Sequence, residues 1–407
     1  MSTTSLGSLG IVGGPYCGDA RPTNPTSEAP MTSLLDAARD LRTALDIEGA
    51  KAEAAGTPMT DAAVEMCKDA GLYGALVAKD VGGAELDAAE SLDVFTELAR
   101  ADGSIGWVVM AGSTATAYFG SYCPDSFTDV MFADGVPLVA GQFAPNGTAA
   151  PQGDAFHITG NYSFGSGLEH ADWAGSGSMT TPEEGDPDYI FAVVPKAEAD
   201  IVGNWNVMGL RSTASYDYRI DSVVPADRTF SMFGFTRYRG GKHFDLGILH
   251  MTEIGHAGWA LGVLRRAIDE AAVIARTKQR MTGRSTLADD PRFQYDLGEA
   301  ESLFRAGDLW IRAAFAKAEE SALNDNPDQA LVGEALQATA WFTQQSTEAL
   351  QKLYRHIGTT ALRDGPFQRA FRDIHAGSQH AMVSPAHTFA FAEAKIAAAP
   401  DAAVDWD

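Results

Sequence analysis

The sequence predicts a mostly helical α+β protein with an N-terminal helical domain, a central antiparallel β-domain and a C-terminal antiparallel four-helix bundle. Three observations predict this order. Helical spacing with glycine stops fills residues 31–135, alternating apolar residues mark residues 136–240, and long amphipathic segments with short connections fill residues 241–407. Residues 1–30 are rich in Ser, Thr, Gly and Pro and are predicted to be a flexible leader.

The composition excludes several classes of partner. The 54 acidic residues outnumber the 30 basic residues, which gives a formal net charge of −24. We therefore expect neither nucleic acid nor an anionic membrane surface as a partner, and no stretch reaches the ~18 uninterrupted apolar residues of a membrane helix. The three cysteines are isolated, which argues against a disulfide framework and fits a reducing compartment. The sequence predicts a cytoplasmic protein.

In the N-terminal region, "TDAAVEMCKDAGLYGAL" has helical spacing and stops at glycine. The segment "LDAAESLDVFTELARADGSIGWVVMAGSTATAYF" predicts one helix, a break at "DGS" and a second helix of small residues. Its glycines and alanines would let another backbone or a flat ligand approach closely.

The central region changes to strand patterns. "AFHITGNYSF" and "SYDYRIDSVVP" alternate apolar with polar residues, and "DYIFAVVP" is a short apolar run that ends in proline. Glycine, asparagine and aspartate turns separate these runs. The pattern is typical of an antiparallel β-domain.

The C-terminal region predicts four long helices. One apolar stripe steps by four and three residues along the first helix, at Ala257, Leu261, Leu264, Ile268, Ala271 and Ala275. Short loops separate the next predicted helices, which are Pro291–Leu323, Pro327–His356 and Gln368–Ala397. Long helices joined by short loops indicate an antiparallel bundle.

The last predicted helix carries His375, His380 and His387. On one continuous helix the first two would face differently, and the last two would lie ~10 Å apart along the axis. We therefore expect no metal site. The residues alone leave His380 open as either a satisfied core histidine or a general acid/base.

Two further motifs admit a structural and a functional interpretation. In "GNYSFGSGLEHADW", Ser166 is either a turn residue or a hydroxyl that Gly165 and Gly167 leave open to a planar ring. "VMGLRSTASYDYR" is either a structural turn or a pocket lining.

A third motif brings basic and hydroxyl groups to helix ends. Arg280 lies in "ARTKQRMTGRS", and Gly358, Thr359 and Thr360 form a turn in "YRHIGTTALRDG". Cations, hydroxyls and backbone N–H groups are what a phosphate needs. Solvated charge and a helix cap are the structural alternatives.

Taken in order, "GNYSFGSGLEHADW", "VMGLRSTASYDYRIDSVVPADR", "LRRAIDEAAVIARTKQR", "DDPRFQYDLGEAESLFRAG" and "IGTTALRDGPFQRAFRDIHAGSQH" resemble the two-component, flavin-dependent monooxygenases of the acyl-CoA dehydrogenase fold. The phenol hydroxylase branch, with secosteroid and p-hydroxyphenylacetate hydroxylases, is the most similar. The resemblance covers about residues 35–398. Acyl-CoA dehydrogenases carry a glutamate base soon after "RD", and here His380 and Ala381 occupy that place.

The resemblance implies an oxygenase component that receives reduced FMN or FAD as a diffusible cosubstrate from a separate NAD(P)H-dependent flavin reductase. Oxygen would add at flavin C4a to give a hydroperoxide, which hydroxylates a small aromatic or similar organic substrate. His380 would orient or deprotonate the substrate, and Ser166 would hydrogen-bond near flavin N5. The resemblance also implies further flavin-binding residues. Trp107, Phe143 and Phe164 would form a dry wall, and Gly167 would contact the ring. The phosphate would bind across a subunit boundary of a homotetramer, at Arg280, Gly358, Thr359 and Thr360.

One departure from the family leaves the particular phenolic substrate open, and two other functions remain as alternatives. Several members carry a histidine in the helix after "GSxGW", whereas "GSIGWVVMAGSTATAYF" has none. An FAD-containing acyl-CoA dehydrogenase or oxidase is the main alternative, and its base would have to come from another helix, such as Glu253 or Glu348. A non-catalytic flavin-binding protein is the third hypothesis.

Overall fold

The computed structural model describes residues 33–280, 283 and 285–397, and the predicted leader at residues 1–30 lies outside these ranges. The mostly helical α+β fold is confirmed, with helices on either side of a central sheet in the chain order. The predicted domain boundaries remain predictions. The N-terminal helices are α1 Leu34–Ala55, α2 Asp61–Asp69, α3 Ala88–Ala101, α4 Gly103–Tyr122 and α5 Asp125–Met131.

The predicted "DGS" break separates α3 from α4. Asp102 lies between the two helices in an extended conformation, and its carboxylate accepts the N–H groups of Ser104 and Ile105. This caps α4, because the first N–H groups of a helix have no partner inside it. Nearly all of α4 is buried, against α3, α6 and β1. Within the described ranges, no helix combines the length and hydropathy needed to cross a membrane.

The sheet has seven strands in the order β5-β6-β2-β1-β3-β4-β7. All pairs are antiparallel except β1 with β3, which is parallel and interrupted by two register shifts around Pro145. The predicted antiparallel β-domain is confirmed as a mostly antiparallel sheet. The one parallel pair arises because β3 returns beside β1 through a crossing segment that carries Ser166. The strands are β1 Val139–Gln152, β2 Ala155–Gly165, β3 Trp173–Thr180, β4 Tyr189–Pro195, β5 Ala199–Ile201, β6 Tyr216–Pro225 and β7 Thr229–Ser231.

The bundle is built around its first helix, α6. Its predicted apolar stripe from Ala257 to Ala275 is buried as expected. Gly262 faces α3 so closely that a Cβ would lie 2.4 Å from the Thr96 carbonyl oxygen, which explains the glycine at this crossing. The bundle helices are α6 Ile248–Thr277, α7 Pro291–Leu323, α8 Gln329–Ile357, α9 Pro366–Gly377 and α10 Ala386–Ala397.

The last predicted helix is not continuous. The chain leaves the helix after Gly377, makes a short 3-10 turn at Ala381–Val383 and resumes a helix after Pro385. Proline cannot donate to a preceding turn and disfavours helical backbone before it, so the chain must break here. The break places His380 at the start of the 3-10 turn, and the orientations expected for the three histidines on one helix were therefore wrong.

Candidate active site

The predicted serine lies in a chain of hydrogen bonds that joins three segments. The indole Nε1–H of Trp107 on α4 donates to Ser166 Oγ at 2.9 Å. Ser166 Oγ lies 2.8 Å from Ser215 Oγ, which lies 2.6 Å from Thr213 Oγ1. The Thr213 hydroxyl donates to the carbonyl oxygen of Leu210 at 2.9 Å. Ser166 is half-buried and its two hydroxyl partners are buried, so only Ser166 meets a ligand from outside.

Two loops hold this chain in place. Ser166 follows Phe164, a non-glycine residue with a positive φ of 62°, and such a backbone persists only where its surroundings determine it. Next to Ser166, the backbone N–H of Gly167 donates to the Thr213 carbonyl at 2.8 Å. The loop after β2 and the loop before β6 are therefore tied together at the serine.

An imidazole pair adjoins the same tryptophan. The rings of His256 on α6 and His380 lie 4.3 Å apart between centroids, tilted by 35°. Trp107 packs edge-on against both rings and against Trp259, at 5.6 Å from His380 and 5.2 Å from His256. The structure thus unites three predicted site residues, Trp107, Ser166 and His380, around one indole ring.

The neutral form and the tautomer of His380 follow from its contacts. Its Nδ1 accepts the backbone N–H of Met382 at 3.3 Å, so a neutral ring carries its proton on Nε2. The residue keeps solvent access, while Trp107 and His256 pack against its ring. Burial lowers the pKa of His380 to about 4, because protein around the ring disfavours the imidazolium.

His256 is the site residue that the sequence analysis missed. Its side chain is only 3% exposed, and Nδ1 is buried without a hydrogen-bond partner among the described residues. Burial, and then the neighbouring His380, hold the pKa of His256 well below its usual range. A signal existed in the sequence, since "IGHAGWALGVL" puts an imidazole and an indole one turn apart in an otherwise apolar stretch.

The "RD" motif on α9 holds the loop that carries Ser215. Asp373 is buried, and its Oδ1 accepts the Leu210 N–H at 2.6 Å. Arg372 donates through Nη1 to the Met208 carbonyl at 2.9 Å. The motif therefore holds the loop that carries Thr213 and Ser215, although no residue of the motif contacts Ser166.

Asp373→Asn is expected to stabilise the protein more at high pH than at low pH. The free energy of unfolding of the variant minus that of the native chain should be about 1–3 kcal/mol larger at about pH 8 than at about pH 4. Burial first and Asp102 second raise the pKa of Asp373 to about 7 from an ordinary value of 3.8. The unfolded chain releases this proton at lower pH than the folded chain, so the native protein loses stability as pH rises between those two values. Asparagine cannot lose a proton and keeps an oxygen for the Leu210 N–H.

Urea unfolding across that pH range measures the effect. Asp61→Asn is the control, because the Asp61 side chain is 93% exposed. A difference between Asp373→Asn and the native chain that stays constant with pH would contradict the prediction.

Two predicted wall residues lie apart from the imidazole pair. Phe143 packs in an aromatic cluster with Tyr118 and Phe191. Phe164 is 62% exposed and meets only the edge of Trp205 among the aromatic rings of the described residues. Of the three residues predicted for a dry wall, only Trp107 contacts the imidazole pair in the folded chain.

The structure brings together only some of the residues that were predicted to bind the flavin phosphate. Thr359 and Thr360 are exposed on a 3-10 turn that follows Gly358 at a positive φ of 58°. The Thr360 hydroxyl accepts from Lys278 Nζ at 2.9 Å. Arg280 instead pairs with Asp290 at 3.1 Å. Lys278 is thus the cation that meets the threonine turn. It belongs to the same predicted basic segment, "ARTKQRMTGRS", in which the family resemblance had singled out Arg280.

The two acids that could replace a missing dehydrogenase base are poorly placed for it. Glu348 is exposed on α8. Glu253 is fully buried on α6, and neither carboxyl oxygen has a hydrogen-bond partner among the described residues. Burial raises the pKa of Glu253 well above its usual range, so this carboxyl favours its protonated form, in which it cannot take a proton.

Two sequence families match this chain. "Acyl-CoA dehydrogenase, N-terminal domain" matches residues 33–122, and "Acyl-CoA dehydrogenase, C-terminal domain" matches residues 254–385. Together the two matches cover more than half of the chain, and they leave out the sheet between them.

Curated relatives and solved structures agree with the family matches. Indole-3-acetate monooxygenase from Pseudomonas putida is 27% identical over 79% of this chain and 82% of the relative. The oxygenase subunit HsaA of a flavin-dependent monooxygenase from Rhodococcus jostii is 25% identical over 81% of this chain and 89% of the relative. XiaF from Streptomyces sp., solved with FADH2 and glycerol, superposes with a TM-score of 0.81 at 21% identity, over 91% of this chain and 96% of XiaF.

Proposed function

We propose that this chain, which belongs to the acyl-CoA dehydrogenase family, is the oxygenase component of a two-component flavin-dependent monooxygenase acting on a small aromatic substrate. The observation that carries the proposal is the half-buried Ser166, held by Trp107 beside the open His380. In the place where a dehydrogenase has its carboxylate, this site has a neutral imidazole. The relatives support the same class of reaction, since their names describe monooxygenases and an oxygenase subunit.

The residues around Ser166 fit a flat heteroaromatic ring. Gly167 has a positive φ of 78°, and a Cβ there would lie 3.0 Å from the Val108 side chain, so the turn that carries Ser166 requires a glycine at this position. Ser166 offers one polar atom, and the exposed Phe164 offers apolar surface. We infer that these residues hold a reduced flavin. When bound, reduced flavin supplies the electrons that activate O2, so that one oxygen atom enters the substrate and the other becomes water.

His380 acts on the substrate as a hydrogen-bond donor in this proposal. The Met382 N–H occupies Nδ1, so the neutral ring carries its proton on Nε2 and can donate it to a substrate. Of the two expected roles, orienting or deprotonating the substrate, we propose the first, in which His380 donates a hydrogen bond to the substrate. Trp107 and His256 pack against the ring and keep water from its rear face, and water exclusion favours oxygen transfer over loss of peroxide.

The flavin phosphate is proposed to bind at the exposed threonine turn. Thr359, Thr360 and the backbone after Gly358 supply hydroxyl and N–H groups, and Lys278 supplies positive charge beside them. The turn lies on the bundle surface, so we propose that a second subunit completes this site in a homotetramer. Exposed apolar side chains on α7, at Tyr295 and Leu309, support contact between subunits. Light scattering that gives the mass of one chain would contradict the tetramer.

A separate flavin reductase is the proposed partner, because a relative is named as the oxygenase subunit of a flavin-dependent monooxygenase. The cytoplasmic location stays a prediction. The substrate class is proposed to be phenols and indoles, and indole-3-acetate is the first compound to test because a relative is named for it.

Ser166→Ala is expected to lower coupled oxygenation about tenfold, since one buried hydrogen bond to the flavin is lost. Native protein mixed with anaerobically reduced FMN, isotope-labelled O2 and a phenol or indole should give product that contains the label. The variant should return most of the oxygen as hydrogen peroxide. Both products are measured in the same reaction, by mass spectrometry and by a peroxidase assay.

Ser163→Ala is the matched control, because Ser163 is three residues away on β2 and its hydroxyl is not part of the hydrogen-bonded chain. Unlabelled product or stoichiometric hydrogen peroxide from the native protein with every substrate would contradict a monooxygenase. Bound FAD that an acyl-CoA reduces without oxygen would instead establish the dehydrogenase alternative.

A further inference from the structure

We infer that Glu253 holds a proton for the oxygenation reaction and donates it to the site through His256, and that His250 returns a proton to Glu253 from the protein surface. The inference rests on the proposed function, because it takes the reduction of O2 at the site as the step that uses the proton. We call these three residues of α6 the proton path. Glu253 and His250 contact neither flavin nor substrate and act only through His256.

The proposed reaction consumes one proton that the flavin does not bring. Above neutral pH reduced flavin is largely a monoanion. The monoanion loses two electrons and its ring proton, one oxygen atom enters a C–H bond of the substrate, and the other becomes water only when one further proton arrives. Exclusion of water from the site leaves side chains as its source. His380 cannot pass a proton on, because the Met382 N–H occupies Nδ1, where a replacement proton would have to enter.

The proton path is marked by buried polar atoms without protein partners. Among the described residues, ten side-chain nitrogen and oxygen atoms are enclosed and have no hydrogen-bond partner. Four of the ten belong to the path, namely both carboxyl oxygens of Glu253, Nδ1 of His250 and Nδ1 of His256. A fifth is Thr343 Oγ1 on α8, which packs against α6. Such atoms cost free energy and are rare, so their concentration along one helix indicates a function.

Helix geometry places the three path residues in succession. They are three residues apart on α6, so each step rises ~4.5 Å along the axis and joins neighbouring parts of the helix surface. Glu253 and His250 are fully buried, and His256 is nearly so. The inner end of the path lies at the site, because the rings of His256 and His380 are 4.3 Å apart. Buried water bonds unpaired polar atoms and can bridge steps of this length.

The outer end of the path reaches an acidic cluster at the protein surface. His250 Nε2 lies 3.5 Å from Glu319 Oε1, and the Glu319 side chain is 13% exposed. His243 lies beside them, and burial lowers its pKa against the opposing charges of Glu319 and Glu85. Carboxylates and imidazoles at a surface exchange protons with solvent near neutral pH. This cluster can therefore supply His250, which in turn supplies Glu253.

The charge states of the inner residues suit transfer toward the site. Burial raises the pKa of Glu253 well above its usual range, and the Thr339 hydroxyl opposes this less strongly, so the carboxyl holds a proton at rest. Burial, and then His380, keep the pKa of His256 well below its usual range. A neutral imidazole accepts a proton at one nitrogen and releases one from the other. His256 therefore transfers the proton without remaining charged.

The first test follows the Glu253 proton in the absence of flavin and substrate. The infrared band of a neutral carboxyl group that Glu253→Gln removes belongs to this residue, and the band shifts when deuterium replaces the proton. After transfer of the native chain into D2O, the band should shift before the backbone amides of α6 exchange, because those amides exchange only on local opening. His250→Phe closes the path at its outer end and should slow the shift about tenfold or more, toward the amide rate.

The second test is a single turnover with reduced FMN, isotope-labelled O2 and a phenol or indole. Glu253→Gln keeps the size and polarity of the side chain but has no acidic proton. It should lower the rate of labelled product formation about a hundredfold, while the dissociation constants for reduced FMN and substrate stay native. Glu348→Gln is the matched control, because Glu348 is an exposed glutamate on α8, and it should leave the band and the rate unchanged.

The outcomes separate this inference from the proposed function. A native chain without the Glu253 band, a band that exchanges no faster than the α6 amides, or a native rate of product formation in Glu253→Gln would each overturn the proton path and leave the monooxygenase intact. A native chain that forms no labelled product with any phenol or indole would overturn both.

Discussion

His380→Phe is expected to lower the rate of substrate oxygenation about a hundredfold, while the affinity for reduced FMN stays close to the native value. Phenylalanine keeps a ring to pack against His256 and Trp107, so it removes the Nε2–H donor without opening the rear of the site. The Met382 N–H loses its acceptor as well. Single-turnover reactions, with product and hydrogen peroxide both measured, separate this loss from any change in flavin binding.

His380→Asn distinguishes donation from proton abstraction. Asparagine can accept the Met382 N–H with its oxygen, as helix-capping residues do, and still donate through its amide. It cannot take a proton from the substrate. If His380 donates, His380→Asn should recover part of the activity that His380→Phe loses. Equal activity of the two variants would mean that the imidazole acts as a base.

The pH dependence of the oxygenation rate tests the protonation state of His380 independently. Because burial lowers the pKa of His380 to about 4, the ring stays neutral at higher pH, and oxygenation should not change through the ordinary histidine range near pH ~6.5. His157→Phe is the control, since His157 is exposed on β2 and pairs with Asp221. A fall in rate as pH decreases through ~6.5 that His380→Phe abolishes would contradict the assigned protonation state.

The sequence predicted elements well where one face of an element is buried. The apolar stripe of α6 identified its core face because the period of a helix is carried by the residues themselves. His256 escaped notice for the same reason. It lies beside that stripe, and periodicity says which way a residue points on its own helix but not which residue faces it across a cleft. The contact with His380 exists only because the chain breaks after Gly377.

The sequence contains signals of the helix break after Gly377, but the prediction did not use them. Gly377 and Pro385 are both helix-ending residues, but the histidines between them suggested one continuous helix. The structure shows a further reason for the glycine, since a Cβ at Gly377 would lie 2.1 Å from the Trp259 ring. A packing partner more than a hundred residues away in sequence has no local signal, so the reason for the break could not be predicted.

Ser166 shows which features of a site a sequence motif can predict and which it cannot. Its glycine-flanked position predicted a candidate hydroxyl, and the resemblance predicted its neighbour Trp107. The two hydroxyls that continue its hydrogen-bonded chain, Ser215 and Thr213, follow it by 49 and 47 residues. They lie in a motif that had been interpreted as a turn or a pocket lining, and in the structure the motif is a turn whose hydroxyls support the site.

Gly209→Ala is expected to lower the free energy of unfolding by about 3 kcal/mol and to weaken the binding of reduced FMN. A Cβ at this position would lie 2.1 Å from the carbonyl oxygen of Arg372. Both groups are backbone, so neither can move away by a rotamer change. The loop before β6 must then separate from α9, which withdraws Leu210 from Asp373 and disturbs the chain that ends at Ser166.

Gly365→Ala is the matched control for that substitution. Gly365 lies just before α9, on the same side of the bundle, in an extended conformation with no atom within 4 Å of an added Cβ. Denaturant unfolding and FMN titration should therefore distinguish the two variants sharply. If Gly209→Ala unfolds like Gly365→Ala, the loop does not press on α9, and the connection from the "RD" motif to Ser166 fails. If Gly209→Ala is destabilised but binds reduced FMN normally, the clamp is structural and the orientation of Ser166 does not depend on it.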